Sequence, residues 1–138
     1  MKQLIVACAI MPLLVVLIMQ TSHSQVNLIK YSRVERTVEN AEAAAKQEGY
    51  FSESIKDDLI KSLSKIMNIP QSSITVEATD VNEIKYRSTK YDESLMHLIV
   101  QFNHEGVMAG NKYFGISDDK NTNQIVIDRY ISSEKLKP

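Results

Sequence analysis

Leu4 to Met19 form sixteen consecutive residues without a charge or a hydrogen-bonding side chain, interrupted only by Pro12, and this block constrains the rest of the chain. A helix of that length spans about 24 Å, against a hydrocarbon core of roughly 30 Å. A membrane-spanning segment must therefore draw Gln3 and Gln20–Ser22 into the two interfaces, giving a helix from Gln3 to Ser22 with slight bilayer thinning. Pro12 does not prevent this. A cleaved signal peptide shares the first step, one positive residue followed by an apolar stretch, and Ser22 and Ser24 around His23 offer a weak cleavage pattern. The apolar run exceeds the usual signal-peptide core of about 7 to 15 residues, which favours a retained anchor over residues 1–24. Its membrane residues are Leu4, Ile5, Pro12, Leu13, Leu14, Val15, Leu17 and Met19. Ile5 to Cys8 have the letters of a lipoprotein box, but they precede the apolar core instead of following it, so Cys8 reads as a small apolar residue.

Fifteen of the sixteen basic residues and all seventeen acidic ones follow Gln20. That balance leaves no positive excess to neutralise a phosphate backbone, so no nucleic-acid partner is expected. The remaining 118 residues are enough for one modest core but not for two domains or a large buried cofactor. Because Cys8 is the only cysteine, the polar part holds neither a disulfide nor a thiolate metal site. Lys2 marks the short side of the anchor, while Lys30, Arg33 and Arg36 on the long side are offset only by Glu35. The charge bias is indecisive, and the expected orientation rests on the rule that long segments translocate largely regardless of charge. It places the chain in the cell membrane as a single-pass protein, with a cytoplasmic N-terminus and an extracytoplasmic domain over residues 25–138.

Beyond the anchor, Leu28, Tyr31, Val34, Val38, Ala41 and Ala45 recur at helical spacing among charged residues, and no glycine or proline intervenes before Gly49. The spacing predicts a helix over about 25–48, closed by Gly49 in the left-handed conformation and continuous with the anchor. Val34, Val38, Ala41 and Ala45 are its packing residues, set either against this chain's own sheet or, with Ala43 and Ala44, against neighbouring helices of an assembly. A second helix is predicted over Ser54 to Met67, with Ser54 and Asp57 in the form of a capping box and Asn68 and Pro70 as its stop. The period then changes to two. Strands are predicted within 73–132: around Ile74 to Ala78, around Ile84 to Tyr86, a central one over Leu95 to Asn103, a short one over Tyr113 to Ile116, and a last one over Gln124 to Ser132. Helices first and strands afterwards describe an α+β fold with a four- to five-stranded antiparallel sheet covered on one face.

No catalytic constellation is visible. The four glycines are too scattered for a phosphate loop. His97 and His104, seven residues apart on one strand, point to opposite faces and share no metal. Asp119, Asn121 and Asn123 alternate as in a calcium loop, but Gln124 and Tyr130 stand where glycine and a bidentate glutamate are required, so a solvated turn is expected. The expectation is a protein that is not an enzyme, with no cofactor, no metal and no small-molecule substrate.

The N-terminal apolar helix, the run from Val34 through Ala41-Glu42-Ala43-Ala44-Ala45 to Gly49, and the short helix ended by Asn68-Ile69-Pro70 ahead of the strands together resemble the TadE-like minor pilin or pseudopilin-like envelope proteins of Tad (Flp) pilus-type systems and their relatives in Gram-positive bacteria. The resemblance covers nearly the whole chain. It implies a membrane-anchored structural or accessory subunit of a pilus, secretion or conjugation apparatus, with other pilin-like or secretion-platform subunits as partners. One departure is the absence of any acidic residue before Glu35, whereas precursors cut by a prepilin-type peptidase carry a glutamate early in the apolar helix. The alternative is a secreted or lone membrane-anchored extracytoplasmic domain that binds a peptide or wall polymer on its sheet edge.

Overall fold

The computed structural model describes residues 1–138, with every side chain but that of Tyr91. Helix α1 covers Lys2–Glu48 and contains one proline, Pro12, and no glycine. It stops where the sequence supplies a left-handed residue: Gly49 has φ +78° and donates its N–H to the Ala45 carbonyl at 2.7 Å. A side chain is excluded there, because a Cβ on Gly49 would lie 2.4 Å from the Lys85 carbonyl oxygen. The chain divides into two units, residues 1–31 with 104–123 and residues 32–103 with 124–138.

The second unit has an α+β core. Val34, Val38, Ala41 and Ala45 on α1 are buried in it, together with Leu59, Leu63 and Met67 of helix α2, Glu53–Met67. Asn68 ends α2 at φ +58°, and the Ser64 hydroxyl donates to the Ile69 carbonyl at 2.6 Å. An exposed residue held in that region carries a steric cost that glycine lacks. Asn68→Gly is therefore expected to match or slightly exceed the parent in urea unfolding, and Asn68→Ala to lose about 1 kcal/mol. At the other end the expected capping box is corrected. Ser52 is the N-cap, Ser54 lies inside the helix, and no side chain closes the first turn; Glu53 pairs there with Lys56 at 3.0 Å.

The sheet has three strands, β1 (Thr75–Ala78), β2 (Leu95–Glu105) and β3 (Thr122–Ser132), in the order β1-β2-β3 and antiparallel. The β1 register runs from Thr75 opposite Gln101 to Ala78 opposite Leu98. Along β2, Met96, Leu98, Val100 and Phe102 are buried in the same core as the helices, while Leu95, His97, Ile99 and Gln101 are half-buried on the other face. A short helix α3, Tyr91–Ser94, leads into β2.

Two expected strands are absent. Residues 84–87 belong to no strand, and their backbone bonds are isolated ones: Lys85 N–H to Gly49 O at 2.8 Å and Arg87 N–H to Lys135 O at 2.7 Å, with no ladder. Tyr113 to Ile116 do not extend either. Gly110 and Gly115, both left-handed, bracket a 3-10 turn over Asn111–Phe114. Period-two alternation marks a strand only where a neighbouring strand completes the ladder, and here glycine punctuation and remote carbonyls take the backbone groups instead.

The first unit consists of residues 2–31 of α1 and the 104–123 segment. The loop between β2 and β3 is closed on Asn121. Its backbone carbonyl accepts from Gly106 N–H at 2.9 Å, its side-chain oxygen accepts from Met108 N–H at 2.8 Å, and its amide donates to the Met108 carbonyl at 3.0 Å. The expected solvated turn is corrected at this residue, because Asn121 is buried and its amide is spent on the backbone.

Candidate functional site

The anchor residues lie on one side of no core. Leu4, Ile5, Pro12, Leu13, Leu14, Val15, Leu17 and Met19 are all exposed, and the most apolar stretch of α1 has no residue covered by the rest of the chain. Among the described residues this is the one helix long and apolar enough to cross a membrane, and it fits a single-pass membrane protein. The exposure continues past the polar stretch Gln20 to Gln25, with Val26, Leu28 and Ile29 all open to the surroundings. Sequence periodicity placed Leu28 on the core stripe; the structure buries Asn27 instead, and the stripe facing the second unit's core starts at Val34.

Within the first unit the 104–123 loop is fastened to the helix. Ala109 donates its N–H to the Gln20 side chain at 3.2 Å, and the His23 ring shares a hydrogen bond with the Gly106 carbonyl. His104 is buried and meets the Tyr31 ring edge-on at 5.7 Å. Burial, with Lys30 and His23 nearby, holds its imidazole below the ordinary histidine range, so it is neutral at pH 7. Neither its Nε2 nor the side-chain oxygen of buried Asn27 has a hydrogen-bond partner among the described residues.

In the second unit, His97 lies half-buried on the sheet face opposite the core, as its position on β2 predicts. Its Nε2 hydrogen-bonds Asp128 Oδ1 at 2.7 Å, and its ring stacks on Tyr130 with centroids 4.1 Å apart. Beside it runs an open groove of about 430 Å³ lined by Glu77, Thr79, Asp80, Glu83, His97 and Ile99. The Thr79 hydroxyl is occupied as an acceptor for the His97 N–H at 2.9 Å. The arrangement can attract a cation; it sets no nucleophile beside the imidazole. Among the described residues no three His, Cys, Asp or Glu side chains gather as a metal site.

A third constellation joins α1 to β3 inside the same unit. Arg129 donates to Glu35 at 2.6 Å and pairs with Glu42 at 3.5 Å, a distance that makes an ion pair without a hydrogen bond. Glu42 is buried, and desolvation lifts its carboxyl above the usual range although Arg129 and Lys46 pull the other way. Sequence reasoning missed this cluster because Arg129 and Glu35 are 94 residues apart and each looks like an ordinary surface charge. It missed the His97–Asp128 pair for the same reason.

Val34, Val38, Ala41 and Ala45 therefore pack within this chain, while Ala43 and Ala44 remain exposed. No protein-family model, no curated protein and no solved structure matches the chain.

Proposed function

We propose that this protein is a non-enzymatic, single-pass subunit of an envelope assembly of the pilus, secretion or conjugation type, related in layout to the TadE-like proteins. Leu4 to Met19 hold it in the membrane, and the α+β domain stands on the extracytoplasmic side. The observation that carries this reading is the uncovered apolar surface of α1 beyond the anchor. Val26 and Ile29, three residues apart on one face, lie past the polar stretch that ends the span, where lipid no longer shields them. A neighbouring helix of a partner subunit is the cover such a face requires.

The test is a photo-crosslinking amino acid at Ile29 in the full chain in cells. Adducts with small helical membrane proteins, lost when Val26 is changed to Ser, are expected from a carbonate-resistant membrane fraction. Recovery of a soluble chain beginning near Gln25 would overturn the assembly reading and favour a free extracytoplasmic binding domain. That second reading draws support from the groove of Glu77, Asp80 and Glu83 beside the edge strand β1, a surface suited to a cationic peptide.

A further inference from the structure

The loop of the first unit ends in two exposed aromatic side chains. Tyr113 is 89% exposed and Phe114 52%, adjacent on the 3-10 turn between Gly110 and Gly115. Isolated exposed aromatics need no explanation, but these two share an apolar groove of about 610 Å³ with Met11, Val15, Val16 and Met19 of the anchor. We propose that the turn Asn111–Phe114 is a second membrane contact, which seats Tyr113 and Phe114 in the boundary between lipid headgroups and acyl chains beside the anchor. It rests on the reading of Leu4 to Met19 as a membrane segment.

The depth follows from the fastening points. Ala109 is tied to Gln20, the polar residue that the short apolar run forces into the interface. From there the groove follows the helix from Met19 back towards Met11, so its floor descends from the interface by up to about 12 Å at 1.5 Å per residue. Apolar faces that lie at an interface are buried about 5 to 10 Å into the headgroup and acyl boundary, within that descent, and aromatic rings favour the same level.

The turn is also built for a dry surface. Three of its backbone bonds close on the turn itself, Tyr113 N–H to Gly110 O at 2.9 Å, Gly115 N–H to Lys112 O at 3.2 Å and Ile116 N–H to Asn111 O at 3.0 Å. The Asn111 amide donates to the Ile116 carbonyl at 2.9 Å, and the Lys112 ammonium is neutralised by Asp118 at 3.1 Å. Unsatisfied backbone is what bars most loops from lipid, and these bonds reduce what the turn presents at a headgroup-level seat. The apolar stem of Lys112 lies along the same turn, so its charged end can stay at the polar side while the stem covers apolar surface. A span about 6 Å shorter than the hydrocarbon core draws the bilayer down around its end, which brings headgroups to the level of the turn.

The chain contains no tryptophan, so single-tryptophan variants report their own surroundings. The full chain carrying Tyr113→Trp, and separately Leu14→Trp, is reconstituted in phosphatidylcholine–phosphatidylglycerol vesicles whose acyl chains are brominated at shallow or deep positions. Tyr113→Trp is expected to emit to the blue of the detergent-free protein and to lose about half its emission to shallow bromines, as interfacial aromatics do. Leu14→Trp is expected to respond most to deep bromines. An unquenched Tyr113→Trp beside a quenched Leu14→Trp overturns the proposal and leaves the anchor standing. A blue-shifted but unquenched Tyr113→Trp also overturns it, since a second protein copy then covers the turn. If neither variant is quenched, the anchor reading fails and this proposal with it.

Discussion

Replacing Phe51 with alanine is expected to remove about 3 to 5 kcal/mol from the stability of the unit formed by residues 32–103 and 124–138, the cost of deleting a buried aromatic ring and leaving its cavity. Phe51 sits in the short link between α1 and α2, is 1% exposed, and is the largest fully buried side chain of the core. Its N–H reaches the Thr79 carbonyl at 2.9 Å, which holds the backbone of this link beside the end of β1, and the ring belongs to the same buried cluster as the helices and β2. A domain of this size holds only about 5 to 15 kcal/mol in total. Thermal unfolding followed by circular dichroism should show the midpoint about 15 °C lower or more. Phe51→Leu should recover most of the loss. A shift of a degree or two in the alanine variant would show that the core does not close around this ring.

Arg129→Met is expected to cost about 2 to 3 kcal/mol at neutral pH, below the 3 to 5 typical of breaking a buried pair, because the Arg129 side chain is still 30% exposed. The loss comes from Glu42, which remains buried with the weaker pull of Lys46 in place of the Arg129 pair. The pH dependence has a defined sign. The folded carboxyl of Glu42 is raised above its ordinary value of 4.5, so the folded state holds its proton where the unfolded chain has released it. Stability contributed by Glu42 is therefore greatest at low pH and falls as pH rises through the raised value. Without Arg129 the folded value rises further, so the window extends to higher pH and the total fall grows. Urea unfolding between about pH 4 and about pH 8 should show the variant approaching the parent at the acid end and diverging towards neutrality. Adding Glu42→Gln to Arg129→Met should restore most of the difference at neutral pH. A pH-independent loss would mean that the titration of Glu42 is not what Arg129 controls.

Features that local sequence dictates were the readable ones. The end of α1 at Gly49, the stop of α2 at Asn68 and the alternation of β2 each depend on residues within a few positions of one another, and the structure shows all three. Residues 84–87 alternate as a strand does, yet what decides their state is the carbonyls of Gly49 and Lys135, which no local pattern reports. At Tyr113 to Ile116 the signal was present in Gly110 and Gly115, and turn punctuation outweighed the short apolar run. The long apolar N-terminal helix was legible because an uninterrupted apolar run needs no partner to be recognised. The loop that reaches Gln20 and His23 was not, since its contacts lie 89 and 83 residues away along the chain. Asn27 in place of Leu28 has the same origin: helical phase around Gln20 to Gln25 is set by what packs there and not by the stripe that begins at Val34.

The order in which the strands are made bears on synthesis. Residues 124–138 supply Ile131 to the core, Arg129 to Glu35, and the backbone bonds Ser133 N–H to Ser94 O at 2.8 Å and Glu134 N–H to Lys46 O at 2.9 Å. At about 5 to 20 residues per second, β3 follows β2 from the ribosome by roughly 1 to 5 s. Through that interval β2 has an unpaired edge, the kind of surface on which nascent chains aggregate. A chain cut short before Ile131 lacks that residue in the core and these two backbone bonds.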